Sequence, residues 1–157
     1  MFAIDPPSGR IQAARHLYPV RAYFEDTDLS GVVYHANYLR WFERARSDLL
    51  RLLGIDQRAA NEAGEGAYAV VDMGLRYLKP ARLDDAVAIV TSVDEITPAT
   101  CRLFQQAWRG EDLLCEARVR VAFVSPNGRP RRQPPAWVAA FRALADQTTE
   151  PEGQVPA

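Results

Sequence analysis

The chain has 157 residues, 48% of them apolar and 25% charged, with a formal net charge of −1. That length suits one domain with its own core, and the composition is that of an ordinary globular protein. The balanced charge leaves no whole-chain electrostatic case for nucleic acid or an anionic membrane, and two cysteines without a CxxC pair give neither a disulfide nor a zinc framework.

Residues 1–14 are polar or carry Pro and Gly, and lack the basic start and continuous apolar run of a secretory signal. They are expected to be poorly ordered, as is the tail 147–157, leaving 15–146 as one domain. No run approaches the ~18 apolar residues of a membrane span, so a cytoplasmic protein is expected. His16 precedes the first strand without a partner pattern and reads as a surface residue. Leu17 to Phe24 alternates with β-branched and aromatic residues, which predicts a strand. Glu25 to Gly31 is turn chemistry. From Ala36 to Leu53 the period changes. Tyr38, Phe42, Ala45, Leu49 and Leu52 recur at spacings of three and four, Leu50 and Leu53 widen the apolar face, and Gly54 supplies a stop. A short helical turn and a Gly-rich loop follow over 56–66. Strands are predicted at 67–78, 86–96, 100–109 and 113–124, separated by KPARLDD, DEITPA, RGED and SPNGRP. A last helix is predicted over 134–145. One strand, one widely apolar helix and four short-turn strands make an α+β fold with an antiparallel sheet of about five strands, curved around the helix.

The run FEDTDLSGVVYHANYLRWFERAR, residues 24–46, crowds Glu25, Asp26 and Asp28 just before that helix. Three readings are open. D-T-D-L-S-G matches the opening of a calcium loop, but its twelfth position is Asn37 instead of Glu and a strand precedes it, so no metal is expected. A solvated strand-to-helix turn accounts for the residue types, with Asn37 available as a cap. The third reading is an acyl-hydrolysis site. Free N–H groups at a helix start near His35 to Asn37 can polarise a carbonyl, a nearby carboxylate can attack it or activate water, and Gly31 permits close backbone approach. If the strand persists, alternation places Asp26 and Asp28 on similar sides.

RAYFEDTDLSGVVYHANYLRWFERAR closely resembles the signature of the 4-hydroxybenzoyl-CoA thioesterase family of hot-dog proteins, and most of all the bacterial branch often encoded beside the Tol–Pal envelope system. Weaker similarity continues through MGLRYLKPARLDD and VAFVSPNGRP, so it covers roughly residues 17–142. The resemblance implies a helix wrapped by a curved antiparallel sheet, in dimers that pair into tetramers. It also implies hydrolysis of acyl-CoA without metal or organic cofactor. The family's catalytic aspartate matches Asp28, as nucleophile or general base. The helix-start position whose N–H polarises the thioester matches His35, and Tyr34 and Asn37 lie at the pocket mouth. The branch usually has a tyrosine where this chain has Phe24. CoA phosphates need cations, and Arg82, Arg129 and Arg131 are the candidates, with CoA lying across a subunit interface.

Glu43 is a rival carboxylate, because another hot-dog branch uses one on the helix; among Arg40, Arg44 and Arg46 it reads instead as one half of a structural ion pair. Trp41, Trp108 and Trp137 read as core or interface anchors. A second function class is a non-catalytic hot-dog adaptor that binds acyl carriers, including acyl carrier protein, or envelope-associated partners. A hot-dog dehydratase would need a catalytic histidine in an HFP-like motif, which is missing.

Overall fold

The apolar positions spaced three and four apart fold into helix α1 (Asn37–Leu52) in the computed structural model, which describes residues 1–146. The tail expected at 147–157 lies outside the described residues. Tyr38, Trp41, Phe42, Ala45, Leu49 and Leu50 are all buried, so α1 is covered over a wide arc. It stops where Gly54 takes φ +76°, the left-handed conformation that costs glycine least.

Around α1 runs a single sheet of six strands, β1 (Arg10–Gln12), β2 (Arg15–Arg21), β3 (Ala67–Tyr77), β4 (Ala86–Ile96), β5 (Thr100–Arg109) and β6 (Asp112–Val124). Every pairing is antiparallel and the order is β1-β2-β4-β5-β6-β3. Two shorter helices complete the chain, α2 (Gln57–Glu62) and α3 (Pro135–Asp146). The α+β hot-dog architecture expected from the sequence is present, with one strand more than the five anticipated.

The added strand falls within residues 1–14. Arg10–Gln12 pairs with β2, and the chain before it is tied to α1. Asp48 of α1 accepts hydrogen bonds from the Ser8 hydroxyl at 2.9 Å and the Gly9 N–H at 3.0 Å. It also bonds His16 Nε2 at 2.6 Å. His16 is therefore not a surface residue; it is fully buried, and the buried carboxylate beside it makes that burial tolerable.

His16 begins a polar row across the inner face. It stands opposite Thr91 on β4, which stands opposite Gln105 on β5. The buried Gln105 amide donates to the Phe42 carbonyl and the Thr91 hydroxyl, each at 3.0 Å, and accepts from Arg46 at 3.0 Å. Satisfied groups of this kind fix the register of α1 on the sheet.

At the other sheet edge β3 leaves Val70, Val71 and Tyr77 exposed, with a bulge between Val70 and Asp72. Trp41 lies in the core, and Trp137 packs on Tyr68 and Phe123. Among the described residues no helix is long and apolar enough to cross a membrane.

Candidate active site

The carboxylate-rich turn is shaped by its own backbone. The first long strand, predicted to reach Phe24, ends at Arg21, and Phe24–Asp26 forms one 3₁₀ turn. Asp26 causes the break. Its carboxylate, 7% exposed, accepts from the Tyr23 N–H at 2.8 Å, and its carbonyl accepts from the Tyr34 N–H at 2.8 Å. Asp26 thus closes the loop between 23 and 34. The alternation expected to set it beside Asp28 is lost with the strand.

Asp28 stands in a second, tighter loop. Its N–H donates to the Val32 carbonyl at 2.9 Å, and its carbonyl accepts from the Gly31 N–H at 3.1 Å. Gly31 takes φ +84°, and nothing lies within 4 Å of where a Cβ would stand, so the glycine serves backbone conformation and leaves open space beside it. The Asp28 side chain is exposed. Its Oδ1 accepts twice from Ser30, from the N–H at 2.8 Å and the hydroxyl at 2.5 Å. The Ser30 hydroxyl, then the Ser30 N–H, hold this carboxyl below the ordinary aspartate range; the Val32 N–H and, less, the charge of His35 pull in the same direction.

Helix α1 begins directly after. The Asn37 N–H donates to the Tyr34 carbonyl at 2.8 Å, which makes His35 and Ala36 the middle residues of a turn. Their N–H groups have no partner among the described residues. Ala36 occupies the cap position, no side chain caps the helix, and its first turn carries no acid. The positive end of α1 is therefore uncompensated. Asn37, expected as a cap, is instead the first helical residue. It is buried, and its Nδ2 has no partner among the described residues.

Residues distant in sequence hold this junction. The Tyr77 hydroxyl, at the end of β3, donates to the His35 carbonyl at 2.7 Å. The His35 ring lies 4.5 Å from Tyr34 and 6.2 Å from Tyr77, centroid to centroid. The Ala81 N–H donates to the Tyr38 hydroxyl at 3.1 Å, and the Val33 N–H to the Ala81 carbonyl at 2.8 Å. Tyr77 and Ser30 escaped the sequence reading. Only Ser30 left a signal, the Asp-x-Ser spacing of a side chain reaching its own loop.

The structure brings Asp28, Gly31, Tyr34, His35 and Asn37 into one turn–helix junction. Arg82 joins them, since its backbone bridges Val32. Arg129 and Arg131 do not. They follow β6, beside the start of β3, whereas Tyr77 at the end of β3 touches His35. The two ends of β3 are about 33 Å apart at ~3.3 Å per residue. The Arg131 guanidinium is also engaged by the Gly64 and Glu65 carbonyls.

Glu43 makes no ion pair among the described residues, contrary to expectation. It accepts from the Ser47 hydroxyl at 2.9 Å, since Arg46 has turned to Gln105. Glu43 and Arg46 border a cavity of about 140 Å³ walled by Leu49, Leu50, Tyr68 and Phe141.

The chain as a whole is similar to known proteins. The chain is 41% identical over 128 residues to the "Acyl-CoA thioesterase YbgC" of Haemophilus influenzae, covering 81% of this chain and 94% of that protein. Among solved structures it is similar to a probable thioesterase from Bartonella henselae, at 36% identity and TM-score 0.73, covering 76% of this chain and 99% of that one. A 1,4-dihydroxy-2-naphthoyl-CoA thioesterase from Synechocystis shares the fold, at 20% identity and TM-score 0.77, over 83% of this chain and 97% of that one. The model of the thioesterase-like superfamily matches residues 23–142, from the 3₁₀ turn into α3. Both the extent of that match and the hot-dog architecture lead to one assignment: this chain belongs to the thioesterase-like superfamily.

Proposed function

We propose that the chain hydrolyses acyl-CoA thioesters to the free acid and CoA at the junction of the Asp28 loop with α1. The observation that carries this reading is a carboxylate held below its ordinary range, with both close hydrogen bonds on one oxygen, on the loop that leads into an uncapped helix start whose His35 and Ala36 N–H groups have no partner among the described residues.

The thioester carbonyl oxygen takes its place at the His35 and Ala36 N–H groups, where negative charge developing in the transition state is stabilised. Asp28 Oδ2 then acts in one of two ways. As nucleophile it bonds to the carbonyl carbon, the C–S bond breaks with its electron pair leaving on the CoA sulfur, and water hydrolyses the resulting anhydride. As general base it takes a proton from water, whose oxygen bonds to the same carbon as the C–S bond breaks. In both routes the net change is the addition of one water, its oxygen reaching the acid directly or by way of the Asp28 carboxyl and its proton ending on the thiol.

Arg82 stands beside the loop for the CoA phosphates. A homodimer supplies the rest. The exposed apolar edge of β3 is suited to pairing with a second copy. A twofold pairing is antiparallel and self-complementary, so it sets the start of one β3 beside the end of the other. That arrangement would bring the partner subunit's Arg129 toward Asp28. Arg129→Ala is then expected to raise KM for CoA thioesters about tenfold, the equivalent of ~1.4 kcal/mol, with kcat unchanged. An unchanged KM would remove Arg129 from the site.

Asp26→Asn should keep most of the turnover. An amide oxygen still accepts from the Tyr23 N–H, and the expected stability loss is only about 1 kcal/mol. A folded but inactive variant would transfer the catalytic role to Asp26.

The test of the activity is thiol release from short, long and aromatic acyl-CoAs, with acyl carrier protein thioesters as a parallel arm. Turnover of at least one CoA thioester is expected. A folded protein inert on every CoA thioester would overturn the assignment, and turnover confined to the carrier-protein arm would reassign the substrate.

A further inference from the structure

We infer that Ser30 is a positioning residue for the reaction, holding the Asp28 carboxylate by one oxygen so that the other is presented to the thioester. The inference rests on the proposed role of Asp28. Its own footing is geometric. Both Ser30 donors, the N–H at 2.8 Å and the hydroxyl at 2.5 Å, converge on Oδ1. Among the described residues both close hydrogen bonds to this carboxylate fall on Oδ1, and the Val32 N–H is a weaker third donor to the carboxyl. The loop that carries both residues is itself braced, by Asp28 N–H to Val32 and Gly31 N–H to Asp28. A carboxylate on an exposed loop would otherwise rotate freely about its side-chain torsions and lose orientational freedom on reaching the transition state. Two donors on one oxygen remove that rotation before substrate arrives.

The N–H contact alone is common in Asp-initiated turns and any residue but proline at position 30 could make it. The hydroxyl is what this sequence adds. Its removal therefore separates a turn-forming role from a catalytic one. Charged and titratable groups near Asp28 along the loop and its bridge include His35 ahead of α1, Asp26 and Glu25 in the preceding 3₁₀ turn, and Arg82 across the Val32 bridge. Ser30→Ala leaves all four in place.

The test compares wild type, Ser30→Ala, Ser30→Thr and Asp28→Asn. Two readouts are taken: kinetics on the best acyl-CoA, and the titration of the Asp28 carboxyl carbon followed by NMR in the intact protein. For Ser30→Ala, kcat should fall roughly tenfold with KM unchanged. Losing a donor to the charged form should move the Asp28 titration upward. The acid limb of kcat/KM should move with it. Ser30→Thr retains the hydroxyl and should restore both. An unmoved titration, or a moved titration with unchanged kcat, would overturn the inference. If Asp28→Asn stayed fully active, the reading of Asp28 would fall, whatever Ser30 did, so the two failures are distinguishable.

Discussion

Asp28→Asn is expected to lower kcat on acyl-CoA by about 10³-fold or more while moving the melting temperature by no more than about 2 °C. Both halves of that expectation come from the same contacts. The side chain is exposed, so the substitution buries nothing new. An amide oxygen can still accept from the Ser30 N–H and hydroxyl, and the main-chain bonds to Val32 and Gly31 are indifferent to the side chain. What disappears is the negative charge, and with it both available roles, since an amide neither attacks a thioester nor takes a proton from water. The helix start survives, so residual rate from carbonyl polarisation alone is expected. Turnover within threefold or so of wild type would exclude Asp28 from the chemistry.

The largest effect on stability should come from Asp48→Ala, at about 3 kcal/mol, which for a chain of this size lowers the melting temperature by roughly 6–12 °C. Asp48 is 3% exposed and takes three donors, from His16, Ser8 and Gly9. Removing it strands a fully buried imidazole whose Nδ1 already has no partner among the described residues. It also frees Ser8 and Gly9, just before β1, from α1. The pH dependence has a definite sign. Burial pushes the Asp48 carboxyl up, but bonds from His16, Ser8 and Gly9 outweigh it and leave the carboxyl below its ordinary value. The folded state therefore gains stability that is complete above the unfolded carboxyl's pKa of about 4 and is lost as pH falls through the folded value. Wild type should melt progressively earlier on acidification through that window, and Asp48→Ala should show less of this dependence. A stability loss under about 1 kcal/mol would mean that the N-terminal segment is held by other contacts.

The elements with strong periodicity were legible from the residues. The limits of β4 and β5 match their predicted strands, and α1 starts one residue late and ends one early, because alternation and the three–four spacing are local properties of the chain. The misreadings come from partners remote in sequence or from side chains that bond their own loop. His16 looked like a surface residue because nothing near it explains a buried imidazole; its partner is 32 positions away on α1. The strand expected to reach Phe24 failed because Asp26 closes on Tyr23 and Tyr34, a competition between side chain and ladder that alternation does not register. Glu43 had arginines at helical spacing, yet Arg46 is drawn away by Gln105 on β5. The junction itself was legible as a run of residue types, and the family resemblance singled out Asp28 and His35 within it. Its bracing by Tyr77 and Ala81 depends on how the sheet returns to α1, which no local pattern encodes.

The most direct measurement is a crystal structure of Asp28→Asn with an acyl-CoA that the wild type turns over. The thioester oxygen should lie about 3 Å from the His35 and Ala36 N–H groups, with its carbonyl carbon facing residue 28. The CoA phosphates should reach Arg82 and the partner subunit's Arg129. A thioester seated instead against Glu43, at the cavity between α1 and β3, would contradict the assignment of the site.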